Sequence, residues 1–368
     1  MTGKRLHRNK YIEIADYIEE RINNGTYQDG APLPPIRELA KYFAVSPQTV
    51  NKATTSLASK GILETRQGSG CVVSRGIKVA PAGKIAMLID QNRSVQLKKL
   101  DLPENYHSKD IYLAYSIKMG DRNFPPVFID YYSKAETISE DEKKELLKYS
   151  GFIVQGTLPE CYIKFFAENR KPAVFINRTV PKYADGLFGA VLISEAKILD
   201  AFNYFASLGH SKILLAYPEF WKETPIQEHR LAHAEKAAEQ TFQDDLYEIE
   251  HFCYVRKSKE SLLKFKELHA AGFKAAFCFN DIAALDIYLF AHESALGIPS
   301  QFSVIGFDDI FAGRVAIPAL TTIRVDRNLL VEKAFKIVDR LITLTGNKIL
   351  VEHLETELLI RKSAYICS

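Results

Sequence analysis

Apolar residues recur at helical spacing through the first sixty positions of the chain. Tyr11, Ile14, Ala15, Ile18 and Ile22 fall on one face of residues 10–23, with charged residues opposite, a pattern that predicts an amphipathic helix. Asn24-Gly25 closes it, because glycine accepts the left-handed backbone that ends helices. A second helix starts near Pro34-Pro35, proline being tolerated in a first turn. It runs through Ile36, Leu39 and Ala40 to Phe43. Ser46 and Pro47 are suited to the N-cap and first helical position of a third helix, whose core side carries Val50, Ala53, Leu57 and Ala58. That helix stops at Lys60-Gly61. Two β-prone segments, 62–65 and 71–73, flank the turn Arg66-Gln67-Gly68-Ser69-Gly70. Three helices and a glycine-tipped hairpin predict an α+β winged helix-turn-helix over residues 1–75.

A linker with Gly76, Pro81, Ala82 and Gly83 occupies 76–83, and beyond it the pattern changes. Short apolar runs at 84–90, 151–155, 173–177, 212–216, 275–280 and 303–308 read as buried parallel strands. Amphipathic helical segments lie between them at 139–149, 162–169, 195–208, 228–240, 257–271 and 282–296. This alternation predicts an α/β domain with parallel sheets over 84–368. The stretch 91–126, with Pro103, Pro125 and Pro126, fits neither pattern. Several runs end in Asp, Gln or Asn, and polar residues at strand C-termini line small-molecule clefts in doubly wound folds.

Charge separates the two parts. The 368 residues carry a net +3, but residues 1–78 hold 12 Lys+Arg against 7 Asp+Glu, net +5, and the remainder 36 against 38, net −2. A basic small domain on a slightly acidic large one points to a polyanion partner for the first alone. The cysteines, Cys71, Cys161, Cys253, Cys278 and Cys367, show no paired spacing and suit free thiols in a reducing compartment. Lys4, Arg5, Arg8 and Lys10 precede an amphipathic stretch, not the apolar run of a secretory signal. No segment approaches the roughly 20 apolar residues of a bilayer span. The expectation is a cytoplasmic protein with no membrane partner.

The strings Gly25-Thr26-Tyr27-Gln28-Asp29-Gly30, Leu33-Pro34-Pro35-Ile36-Arg37-Glu38-Leu39-Ala40, Val45-Ser46-Pro47-Gln48-Thr49-Val50 and Arg66-Gln67-Gly68-Ser69-Gly70 occur in order and spacing. Together they resemble the DNA-binding domain of the GntR regulators. The resemblance implies a third helix inserted in the major groove, which admits one helix. Gln48, Thr49, Asn51 and Lys52 would face DNA there, with Ser46 beside them. Gln and Asn can pair bidentately with adenine, and Lys52 can reach a phosphate. Arg37 stands where the family places a DNA-contacting arginine, the alternative being a surface ion pair with Glu38 or a neighbour. Arg66 and Gln67 sit at the wing tip, where Gly68 permits close approach to a minor groove. Many family members have serine at the place of Pro35 and arginine at that of Pro47, so this chain lacks a common guanine reader.

From about 190 to 345 the chain resembles the effector domain of the LacI-type regulators, akin to periplasmic sugar-binding proteins. The matching strings are Leu208-Gly209-His210-Ser211-Lys212-Ile213, the helix of Arg230, Phe279-Asn280-Asp281-Ile282-Ala283-Ala284, Leu296-Gly297-Ile298-Pro299, Ser303-Val304-Ile305-Gly306-Phe307-Asp308-Asp309 and Pro318-Ala319-Leu320-Thr321-Thr322-Ile323. A GntR head on such a sensor resembles the arabinose-repressor type of bacterial regulator. It implies two α/β lobes around a cleft, a homodimer, double-stranded operator DNA, a sugar effector and repression of carbohydrate-utilisation genes.

Sugar hydroxyls both donate and accept, and Asp, Asn and Arg satisfy them. Asp308 matches the family's sugar-binding aspartate and is the leading candidate, with Asp309 the better candidate for a turn cap. Arg230 matches the arginine on the helix after the 212–216 strand. One of Asn280 and Asp281 should meet ligand while the other caps the following helix. Asp90, Gln91, Gln155 and Asn177-Arg178 follow other strands. Trp221 could stack on a sugar ring or pack against the neighbouring lobe. No nucleophile elbow, phosphate loop or zinc spacing is present. His229 and His233 stand four apart, but Arg230 occupies the place of a zincin's glutamate. The expectation is therefore a regulator, not an enzyme, with no cofactor and no metal. The competing readings are a constitutive DNA-binding dimer whose large domain only oligomerises, or a sensor of a non-sugar metabolite.

Overall fold

The computed structural model describes residues 10–23, 26–28, 30–59, 62–66, 70–73, 83–90, 108–221, 225–242, 247–344 and 346–365. The chain divides into two compact units, Met1–Gly83 and Lys84–Ser368.

In the first unit, helices α1 (Lys10–Asn23), α2 (Ile36–Tyr42) and α3 (Pro47–Ser59) precede an antiparallel pair, β1 (Leu63–Arg66) and β2 (Gly70–Val73). Ile14, Ile18, Ile22, Leu39, Val50, Ala53 and Leu57 form the core with Leu63 and Val73. These are the positions the helical periodicity marks, because an amphipathic helix gains stability by burying its apolar stripe. Pro32 bridges Val72, and Leu33 N donates to the Cys71 carbonyl at 2.8 Å, so the segment before α2 backs the wing.

The second unit holds two six-stranded sheets. In the first lobe the order is β13 (Lys348–Leu354), β7 (Leu187–Ile193), β6 (Ala173–Ile176), β5 (Gly151–Gln155), β3 (Ile85–Asp90) and β4 (Phe128–Tyr131), all parallel. In the second it is β14 (Glu357–Leu359), β12 (Thr321–Arg324), β11 (Ser303–Asp308), β10 (Ala275–Cys278), β8 (Lys212–Pro218) and β9 (Glu248–Tyr254), parallel except for β14. The chain changes lobe three times. After β7 it enters the second lobe, where helix Lys197–Ser207 packs on β12, β14 and helix Pro225–Thr241. After β12 it returns, and helix Arg327–Thr343 packs on β5, β6, β7 and β13. After β13 it crosses again to place β14.

The sequence reading recovers β3, β5, β6, β8, β10 and β11 and misses β4, β9, β13 and β14. Those four are the sheet edges, where polar residues alternate with apolar ones and weaken the signal of a buried run. It also passes over β7, interrupted by Gly189, and the short, threonine-rich β12. Among the described residues of 91–126, which begin at 108, the structure has the helix Ser108–Asp121. Ile111, Ala114, Tyr115 and Met119 are buried there, but Leu113 and Ile117 on the outer face are exposed, which erases the amphipathic contrast. Arg122 fixes this helix to the Arg327–Thr343 helix by a bidentate pair with Asp339, at 2.9 and 2.5 Å. No helix among the described residues is long and apolar enough to cross a membrane.

Candidate functional sites

On the first unit, Ser46 Oγ accepts from Thr49 N at 3.2 Å and lies 2.9 Å from Thr49 Oγ1, which caps the orphan N–H groups of α3. Gln48, Asn51 and Lys52 are exposed on the turns that follow, and Thr49 is half-buried. Lys52 Nζ lies 4.6 Å from the ring centre of Tyr11 on α1. Arg37 is exposed on the first turn of α2, and among the described residues it has no ion pair with Glu38. Gln67, Gly68 and the side chain of Arg66 lie outside the described residues, although the Arg66 backbone pairs with Gly70.

In the second unit both sheets aim strand C-termini at one cleft. The first lobe contributes Gln155 at the end of β5 and Asn177 and Arg178 after β6; the second contributes Asn280 after β10 and Asp308 at the end of β11. Arg230, from the helix following β8, completes that side, and Arg327 stands where the chain returns to the first lobe. The cavity measures about 80 Å³, less than the roughly 300–1,000 Å³ of small-molecule pockets. A sugar would require these lobes to part.

Arg230 is 5 % exposed, not a surface helix arginine. Its guanidinium lies 3.6 Å from the Phe307 ring centre, its Nε donates to Glu195 Oε1 at 3.0 Å, and its Nη1 donates to the Phe279 carbonyl. These contacts hold the group at the cleft wall. Asp308 adopts φ +119°, a region that non-glycine residues rarely occupy and that marks stored strain. Arg327 restrains it, donating from Nη1 to the Asp308 carbonyl at 2.6 Å, with Nη2 3.5 Å from the carboxylate. Asp309 is no turn cap: Arg361 Nη2 donates to its Oδ1 at 2.6 Å, and Arg314 pairs with Oδ2 at 3.2 Å.

Asn280 caps its helix, Oδ1 accepting from Ala283 N at 2.8 Å, and also lines the cleft. Asp281 does neither, which corrects its expected place in the ligand site. It is fully buried, Thr322 Oγ1–H donating to Oδ1 at 2.6 Å and Ile310 N–H to Oδ2 at 2.8 Å. Burial first, and the nearby Asp308 charge second, push its carboxyl up to about 8. Asp90 ends β3 beside Gly156, a residue of the cleft wall. Its carboxylate accepts from Ser133 N at 3.3 Å. Trp221 ends a single 3-10 turn, Glu219–Trp221, after β8. Its side chain and all of Gln91 lie outside the described residues.

Residues 10–73 match the family described as bacterial regulatory proteins, gntR family. The HTH-type transcriptional repressor YtrA of Bacillus subtilis is 34 % identical over 97 residues, covering 26 % of this chain and 71 % of YtrA. The chain belongs to the GntR family. Residues 202–364 of this GntR regulator match the periplasmic binding protein-like domain. The repressor PurR of Histophilus somni is 37 % identical over 89 residues, 24 % of this chain but only 27 % of PurR. Two solved structures share the fold of the larger unit. A LacI family regulator from Enterococcus faecium with bound ribose has TM-score 0.59 at 20 % identity, covering 77 % of this chain and 100 % of that one. The LacI family regulator CCPA from Weissella paramesenteroides with bound glucose has TM-score 0.56 at 13 % identity, covering 77 % and 98 %.

Two features of the GntR regulator's larger unit escape sequence reading. Arg327 directly follows Asp326, whose Oδ1 accepts from Leu329 N at 3.0 Å. That capping aspartate was the available signal for a helix start, and hence for an arginine at the crossover. The second is a cavity of about 700 Å³ sharing Asn177, Arg178 and Ile193 with the cleft. Though larger, it does not lie at the convergence of strand ends from both sheets. Glu195, His229, His233 and Lys236 line it, and the Glu195–Arg230 pair is the partition between the two spaces.

Proposed function

We propose that this GntR regulator is a cytoplasmic repressor of carbohydrate-utilisation genes, binding operator DNA as a homodimer under the control of a small sugar. The observation that carries the reading is the convergence of Gln155, Asn177 and Arg178 from one lobe with Arg230, Asn280 and Asp308 from the other. Amide, carboxylate and guanidinium groups on facing walls satisfy a polyol's alternating donors and acceptors. The sugars in the structural neighbours support the choice of ligand class.

Arg37, Gln48, Asn51 and Lys52 are the proposed DNA contacts of the described head, with Ser46 and Thr49 holding the tip of α3 and Arg66, Gln67 and Gly68 assigned to the wing. A sugar that binds one lobe arrangement better than another shifts the population toward it, and the coupling to DNA affinity is reciprocal. The effector is bound without being turned over.

The test is operator binding by fluorescence anisotropy across pentoses, hexoses and deoxyhexoses. One sugar should change operator affinity of the wild type. Asp308→Ala should abolish that response and keep DNA binding, whereas Arg37→Ala should weaken DNA binding by about 1–3 kcal/mol and keep sugar binding. Equal loss of operator affinity in both variants would overturn this division of labour, and indifference to every sugar would favour a non-sugar effector.

A further inference from the structure

Glu195 lies on the segment that carries the chain from β7 into the second lobe. Its carboxylate is buried, and its two oxygens have different surroundings. Oε1 accepts from Arg230 Nε at 3.0 Å. Oε2 meets two imidazoles, His229 Nδ1 at 2.9 Å and His233 Nδ1 at 3.3 Å. The histidines are four apart on one helix face, with ring centres 4.4 Å apart, and the three donor atoms lie within 4.8 Å of one another.

We propose that Glu195, His229 and His233 bind a first-row divalent cation of the zinc class at this interlobe segment. Ligand bonds of about 2.0–2.2 Å in tetrahedral array place donors about 3.3–3.6 Å apart; the His233 separation meets this, and the His229 separation has to widen by about 0.4 Å on binding. Arg230 fixes the carboxylate through its other oxygen, the orienting role that outer partners play at metal sites. The same arginine offsets the glutamate's charge. The site therefore rests on imidazole nitrogen and selects zinc-like cations over Mg²⁺ or Ca²⁺, which need several oxygen ligands. His233 Nδ1 donates to the His229 carbonyl at 2.8 Å. Binding requires that proton to leave and the ring to rotate, and the half-exposed side chain has room to do so. The fourth position opens on the 700 Å³ cavity, where water or an effector oxygen can complete the shell. The three ligands of this site are not among the cleft's proposed sugar contacts, and Arg230 alone touches both, so zinc binding and sugar binding are measured separately.

The experiment is isothermal titration of the full, tag-free chain with Zn²⁺ and, separately, Mg²⁺. One Zn²⁺ per chain should bind, and Mg²⁺ should not compete. His229→Ala/His233→Ala also takes two partners from the buried Glu195 Oε2, so His229→Gln/His233→Gln is measured beside it, and circular dichroism and the thermal midpoint without metal should show both variants folded at the assay temperature. In both, Zn²⁺ affinity should fall at least about a hundredfold, the upper end of what losing an outer partner alone costs. A Co²⁺-loaded wild type should show the visible absorption of a low-coordinate site, absent from both variants. Failure of the wild type to bind Zn²⁺, or equal binding by either variant, overturns the proposal.

Discussion

Adjacent aspartates and asparagines in this chain have opposite fates. Asp308 faces the cleft and Asp309 is held by two arginines; Asn280 caps a helix at the cleft wall and Asp281 is sealed beneath it. All four end strand-like runs, so residue type and position alone could not separate them, and only the neighbours that cover each one do. Asp281 supplies a pH test. Its carboxyl has an ordinary value of 3.8 and is raised to about 8 in the fold. Between those values the unfolded chain has released the proton and the native chain keeps it, so stability falls as pH rises and levels off above about pH 8. Asp281→Asn removes that titration. Its amide can donate to Thr322 while its carbonyl accepts from Ile310 N. The variant's melting temperature should therefore gain on the wild type steadily from about pH 5 to pH 8, and parallel curves for the two proteins would refute the burial argument.

At the scale of elements, legibility followed burial. Central strands such as Phe152–Val154 and Ala275–Phe277, covered on both faces, leave continuous apolar runs, whereas edge strands do not. Helix Arg327–Thr343 is a case where packing demands a specific small residue. It lies on β7, and a Cβ added at Gly189 would stand 2.5 Å from Ile337 Cγ2 and 3.0 Å from the Leu350 carbonyl oxygen. Neither neighbour can retreat without lifting the helix or parting β7 from β13. Gly189→Ala should destabilise the larger unit by about 1–3 kcal/mol, the usual cost of overpacking, read by urea unfolding. The glycine that hid β7 from pattern reading is the one that lets this helix close over the sheet.

At the scale of the whole molecule, the division into a head and a sensor makes a thermal prediction. A ligand that binds only the native cleft stabilises it by about 2.7 kcal/mol at a hundredfold excess over Kd. In a calorimetric scan, the effective sugar should raise the transition of the larger unit and leave that of the winged helix in place, and Asp308→Ala should cancel the shift. Movement of the head's transition alone would place the binding site elsewhere. The sequence by itself determined the winged helix, the α/β class of the remainder, its interior strands, and Gln155, Arg178, Arg230, Asn280 and Asp308 as cleft residues. The folds, Gln155, Arg178 and Asn280 follow from local periodicity, capping chemistry and the ends of buried runs, whereas Arg230 and the precedence of Asp308 came from the resemblance to the LacI-type regulators. Only the tertiary structure decided the three lobe crossings, the sheet edges, the burial of Asp281, and the meeting of Arg327 with Asp308 and of Glu195 with Arg230, His229 and His233. Each depends on contact between residues far apart in the chain, and that proximity leaves no local pattern to read.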